Sequence, residues 1–125
     1  MKIYVDKVLN ESVYFSTEYG NGKGIWRSAS KPIEKEYFVE LDIDILCNYS
    51  DFTDSIIEEY QMKICDEKIL LNLLLLEYDQ FGCATFQFGD TIIEIETNYD
   101  ERFFALENSY VTILVEKLNI YDENL

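Results

Sequence analysis

Glu36-Tyr37-Phe38-Val39-Glu40-Leu41-Asp42-Ile43-Asp44-Ile45 is the stretch on which the fold turns. Side chains of an extended chain alternate between faces, so Tyr37, Val39, Leu41, Ile43 and Ile45 share one face and Glu36, Phe38, Glu40, Asp42 and Asp44 the other. The pattern predicts a half-buried β-strand with a ladder of carboxylates outside. Like charges on neighbouring outward positions repel, so such a row needs an advantage elsewhere, either a cationic partner or solubility.

Upstream of this strand, residues 2–9 read as extended, with Ile3, Val5 and Leu9 on one face broken by Lys7, and residues 13–19 return as a second strand. Asn21-Gly22 between β-rich runs predicts the next hairpin turn, because both residues tolerate positive φ, and Ile25-Trp26-Arg27 begins a third strand. Ser28 to Pro32 is a loop. Downstream, Asn48 to Asp54 is polar and turn-rich, with Ser50 placed to start a single helical turn. Residues 55–65 read as a strand from the alternation of Ile56, Tyr60, Met62 and Ile64, although Ile57, Tyr60 and Ile64 also meet at helical spacing. Lys68 to Tyr78 is too apolar for its period to decide, but the turn Asp79-Gln80-Phe81-Gly82 and the alternating run Cys83 to Phe88 make the pair a hairpin. Gly89-Asp90 then turns into Thr91 to Thr97, with Ile93 and Ile95 against Glu94 and Glu96. After the polar loop Asn98 to Arg102 and the short apolar piece Phe103 to Leu106, Tyr110 to Ile120 alternates as the last strand, and Asp122 to Leu125 reads as a frayed acidic tail.

Seven to nine short strands punctuated by turns predict an all-β fold, a small Greek-key barrel, OB-like and elaborated, with at most one short helix. No linker, repeat or low-complexity segment divides the chain, so residues 1–125 form a single domain. At 125 residues it buries about two-thirds of its unfolded surface and needs no disulfide or metal staple. A hydrophobic content of 48% with 15% aromatic residues argues against disorder despite the charge.

The net charge of −15 is uneven. Residues 1–33 hold three acids against five bases, residues 34–63 nine against two, and residues 64–125 thirteen against three. A negative field opposes phosphate backbones and anionic lipid and accelerates encounter with a basic protein. Trp26 with Lys23, Arg27 and Lys31 is the one basic and aromatic patch, smaller than a single-strand nucleic-acid binder needs, so no nucleic-acid partner is expected. The longest apolar run, Leu73 to Leu76, is far too short to span a bilayer, and the first residues lack an apolar signal region. A cytoplasmic protein with no membrane partner is the expectation, with Cys47, Cys65 and Cys83 as free thiols.

Triad and most general-base chemistries lack their members, since the chain has no His, no Gly-x-Ser-x-Gly and no Gly-rich dinucleotide turn. Carboxylate chemistry remains. Asp42 with Asp44, and Glu94 with Glu96, sit two apart on strand faces, where either pair could bind Mg²⁺ or Ca²⁺ or act as a glycosidase acid and base. Two-apart acids are also what any solvated face of an acidic β-protein shows, and the Asp-x-Asp run lacks the glycine and spaced ligands of a calcium loop. The expectation is a non-enzyme without cofactor or metal.

A basic protein partner uses the same features more economically, with carboxylates steering and pairing its Lys or Arg and nearby Tyr and Phe as anchors. Glu36, Glu40, Asp42 and Asp44, with Asp51, Asp54, Glu58 and Glu59 from the following segment, are the candidate partner-binding residues. In its Glu36–Ile45 strand, size and charge, the whole chain resembles the small acidic immunity proteins of bacterial polymorphic and contact-dependent inhibition toxins. That resemblance implies an inhibitor that covers the active site of a basic, nuclease-type toxin. It carries no residue role, because immunity proteins share no common motif; nucleic-acid mimics have the same profile. The alternatives are an accessory β-barrel domain whose acidity serves solubility, and a metal-dependent carboxylate enzyme.

Overall fold

The computed structural model describes residues 1–123. The chain forms eleven strands: β1 (Lys2–Leu9), β2 (Ser12–Thr17), β3 (Gly20–Trp26), β4 (Glu36–Asp42), β5 (Phe52–Asp54), β6 (Gln61–Cys65), β7 (Lys68–Tyr78), β8 (Cys83–Phe88), β9 (Thr91–Glu96), β10 (Tyr110–Val115) and β11 (Asn119–Asp122). Two short 3₁₀ helices, Tyr49–Asp51 and Glu101–Leu106, are the only helical segments among the described residues. The all-β, small-barrel expectation holds.

Five strands close a ring. β1, β2 and β3 form an antiparallel meander, β4 runs antiparallel beside β1, β11 runs antiparallel beside β4, and β11 closes on β3 in parallel. This is a five-stranded Greek-key barrel of OB-like order. β5 to β10 are inserted between its last two strands. They form a second sheet in which β7 is central, with β10 and then β5 on one side and β6, β8 and β9 on the other. The side chains alternate as the sequence demands, and Ile3, Phe15, Val39, Leu41 and Ile120 of the barrel merge with Leu71, Leu73, Phe86, Ile95 and Phe103 of the insertion into one buried core.

The Glu36–Ile45 strand forms as far as Asp42, with Val39, Leu41 and also Ile43 buried and Glu36, Glu40 and Asp44 outside. Ile45 departs from the expected face and is exposed, because the chain leaves the sheet after Asp42. The Asn21-Gly22 hairpin is corrected: the turn comes earlier, at Glu18-Tyr19, with Thr17 opposite Gly20, and Asn21 to Gly24 lie inside β3. Glycine is used here for close approach. Gly20, at φ 130°, touches the Met62 carbonyl where β3 meets β6, and a side chain on Gly22 would meet Phe15 and Met62.

Residues 55–65 are a strand only from Gln61; Ile56 is 99% exposed and takes no part in the core. Tyr110 to Ile120 is two strands, since the chain leaves the inserted sheet after Val115 and crosses to the barrel, where the Leu118 carbonyl accepts the Ile25 N–H at 2.8 Å. Phe103 to Leu106 belongs to the second 3₁₀ helix, and Phe103 anchors an aromatic cluster with Tyr49, Phe52 and Tyr78. Asp122, expected to begin a frayed tail, pairs with Val39 in β11; residues 124 and 125 of that expected tail lie outside the described residues.

Candidate functional site

Two carboxylate ladders far apart in sequence meet on one side of the molecule. Alternation places Glu40 and Asp42 on the outer face of β4 and Glu94 and Glu96 on the outer face of β9, since Leu41, Ile93 and Ile95 take the inner positions. The chain after β4 runs parallel to β9 and touches it at Cys47 and Thr97, where Cys47 N–H donates to the Glu96 carbonyl at 2.9 Å and Asn98 N–H to the Cys47 carbonyl at 2.9 Å. Away from that junction, among the described residues no backbone pairing joins the two segments, and together they border a trough. Its wide end, about 730 Å³, is bordered by Glu40, Asp42, Asp90, Glu94 and Glu123, with Ile92 and Tyr121 as its apolar walls. Its narrow end, about 250 Å³, continues past Asp42 and Glu94 to Asp44, Ile45, Leu46, Cys83 and Glu96.

The trough is negative and almost without counter-charge. Among the described residues, the one cation paired with its carboxylates is the Met1 amino group, 3.5 Å from Glu123 and 3.9 Å from Asp90, which also donates to the Val39 carbonyl at 2.8 Å. Cys83 registers the field: burial first, then Glu94, Asp79 and Glu96, push its thiol above its ordinary pKa. A thiolate is disfavoured there, so Cys83 is a poor nucleophile. All three cysteines are unpaired. Among the described residues no three acidic or cysteine side chains converge closely enough to hold a metal ion.

The sequence-derived candidates divide among several places. Glu40, Asp42 and Asp44 border the trough. Asp42 is also structural, since Asn119 Nδ2 donates to its carboxylate at 3.2 Å. Glu36 is paired with Lys2 at 2.6 Å, which raises the Lys2 pKa, and stands outside the trough. Asp51 accepts the Asn48 N–H at 2.7 Å and so closes the first 3₁₀ turn. Asp54 is exposed on the short edge strand β5. Glu58 and Glu59 border a separate depression of about 500 Å³ with Glu18, Tyr19, Tyr60 and Tyr110. Burial raises the pKa of both Tyr19 and Tyr60 there, keeping them neutral hydrogen-bonding groups.

The basic and aromatic patch is taken up by structure: Trp26 packs edge-on against Tyr37 at 5.0 Å and Arg27 Nε donates to Asn119 Oδ1 at 2.9 Å. Asp90, Ile92, Tyr121 and Glu123 went unselected in the sequence, and Glu94 with Glu96 stood there as a pair unconnected to Glu40–Asp44. Their matching alternation was visible; their proximity depends on a pairing across the insertion. No helix among the described residues is long and apolar enough to cross a membrane. Comparison with protein-family models, curated proteins and solved structures finds no match to this chain.

Proposed function

We propose that this protein is a non-catalytic inhibitor that binds a basic protein domain in the trough between β4 and β9, and that its biological role is that of an immunity protein against a nuclease-type toxin. The observation that carries the reading is the convergence of Glu40, Asp42 and Asp44 with Asp90, Glu94, Glu96 and Glu123 around one concave surface that has the Met1 amino group as its paired cation among the described residues. Holding like charges together costs stability, and a cationic partner reverses that cost on binding. Ile92, Ile45, Leu46 and Tyr121 are exposed beside the carboxylates and supply apolar contact area. A domain that binds nucleic acid presents Lys and Arg, and this surface offers them the pairing that phosphates otherwise provide.

The test is capture from the host's lysate on C-terminally tagged protein, washed at low and then high salt, followed by an activity assay on the captured protein. The expected result is a stoichiometric basic partner that dissociates as salt rises and whose activity is lost in the complex. Replacing Glu40, Asp44, Glu94 and Glu96 together by their amides weakens capture at least about a hundredfold, as expected when several charge pairs are removed. Equal capture by this variant removes the trough from the interface. The competing reading, an accessory barrel, is favoured by the position of Glu94 and Glu96 on a strand edge, where charge blocks edge-to-edge aggregation. It predicts no stoichiometric partner and self-association of the amide variant.

A further inference from the structure

Where β3 meets β6, three tyrosines from separate parts of the chain line the depression of about 500 Å³ that Glu18, Glu58 and Glu59 border. Tyr19 comes from the turn between β2 and β3, Tyr60 immediately precedes β6, and Tyr110 opens β10. Tyr60 stands at the centre, its ring 5.4 Å from that of Tyr19, 5.7 Å from that of Tyr110 and 5.9 Å from that of the buried Phe88. All three tyrosines remain partly exposed.

Hydrogen bonds fix each contributor in place. Met62 N–H donates to the Tyr19 carbonyl at 2.9 Å, Ser55 N–H donates to the Tyr110 carbonyl at 3.0 Å, and the Thr17 hydroxyl accepts the Tyr19 N–H at 2.9 Å. The buried Asn72 amide holds the Ile57 and Glu59 carbonyls at 2.9 and 2.7 Å, so the loop that carries Glu58 and Glu59 is tied down although both side chains are exposed. A surface held in this way has little ordering entropy left to lose on binding. None of the three carboxylates has an ion-pair partner among the described residues.

The molecule contains its own example of what completes such a set. The Arg102 guanidinium carbon lies 4.2 Å from the centre of the Tyr49 ring while its Nη2 donates to the Asp100 carboxylate at 2.7 Å, so one planar cation meets a tyrosine ring and a carboxylate together. In the depression the rings and carboxylates are present, and among the described residues no lysine or arginine of this chain lies over those rings. We infer that the depression is a seat for an arginine side chain of the basic protein partner, its guanidinium against the tyrosines and its N–H groups paired with Glu58 and Glu59. The source of the arginine rests on the inhibitor reading. Position agrees with that source: a depression of about 240 Å³ shares Asp90 with the trough and shares Glu18 and Tyr19 with the tyrosine site, so one partner surface can lie over both.

The probe is N-acetylarginine methylamide, compared with its citrulline twin, which keeps the shape and loses the charge, in an NMR titration that follows the tyrosine ring signals of the full chain. The expected result is a saturable shift of the Tyr60 and Tyr110 rings with the arginine compound and binding at least about tenfold weaker for the citrulline compound. Changing Glu58 and Glu59 together to glutamine, at exposed positions where substitution costs little stability, abolishes most of the response, whereas the variant with Glu40, Asp44, Glu94 and Glu96 amidated retains it. Unmoved rings, an equal response to both compounds, or a response lost with the trough variant and kept by the Glu58 and Glu59 variant overturns the seat. A basic protein captured from lysate then tests the source. Capture weakened at least about tenfold by the Glu58 and Glu59 variant supports a partner arginine, and equal capture removes the partner from this seat while the inhibitor reading stands. A lysate without a basic partner removes the inhibitor reading instead, and the ring titration then decides the guanidinium seat by itself.

Discussion

Asn72 is the polar exception in the apolar strand β7, and its replacement by leucine tests how the loop before β6 is held. The side chain is 1% exposed. Its Nδ2 donates to the Glu59 carbonyl at 2.7 Å and the Ile57 carbonyl at 2.9 Å, and its Oδ1 accepts the Thr112 hydroxyl at 2.8 Å. Leucine has nearly the same branched shape, so Asn72→Leu removes three hydrogen bonds without opening a large cavity. Each is worth about 1 kcal/mol net, and the abandoned Thr112 hydroxyl adds desolvation cost, while the two loop carbonyls recover part of theirs from water. The sum is about 2–3 kcal/mol, read as a fall in Tm of about 10 °C for a domain of this size. Thr112→Val alone costs about 1 kcal/mol, and the double variant is less destabilised than the sum of the two singles, because the orphaned hydroxyl is gone. Urea unfolding of the four proteins measures this. An Asn72→Leu stability within about 0.5 kcal/mol of wild type refutes the clamp, since that is the scatter of a surface substitution.

Three further outcomes are expected. Gly20→Ala lowers stability by about 2 kcal/mol or more, because φ is 130° there and a Cβ would run into the Met62 carbonyl; an unchanged thermal midpoint contradicts the close approach of β3 and β6. Phe103→Ala removes a buried ring stacked on Tyr78 at 4.5 Å and costs about 3–5 kcal/mol by denaturant titration, whereas a cost near that of a surface site disproves its anchoring role. The Asp100 carboxyl is held at about 2, below 3.8, chiefly by side-chain hydrogen bonds from Arg102 and then by its backbone N–H. The folded value being the lower one, this contribution is present above pH 3.8 and is lost as pH falls through about 2. Arg102→Ala returns the midpoint in an NMR titration toward 3.8, and a midpoint that stays near 2 rejects the assignment.

Much of the fold was legible where side-chain alternation had only one interpretation. Thr91 to Glu96 and Cys83 to Phe88 have the expected faces, because each strand has one wet and one buried side. Asn21-Gly22 misled because local turn chemistry was overridden: the glycines of β3 serve the approach of Met62 and Phe15, a tertiary demand with no local signature. Ile56 followed a strand pattern yet lies outside the core, since Asn72 holds its loop through the Ile57 and Glu59 carbonyls. Of the trough, the Glu40–Asp44 side could be read from alternation. Its other wall could not, since nothing in a local pattern announces that β9 will come to lie beside β4.

The inserted position of β5 to β10 also governs the order in which the molecule can be made. Asn119 and Asp42 touch across 77 residues of chain, and closing so long a flexible loop costs about 4 kcal/mol of entropy before any contact rewards it. The hairpins β6–β7 and β8–β9 have short turns and need no such closure. Once they fold and Cys47 meets Thr97, the ends of β4 and β11 are brought near each other and the remaining search is short. The barrel closes late, since its fifth strand follows the whole insertion in the chain and the first four wait as an open sheet until it arrives. In that interval its two unclosed edges are exposed to neighbouring chains, and the net charge of −15 keeps nascent copies apart before the ring shuts.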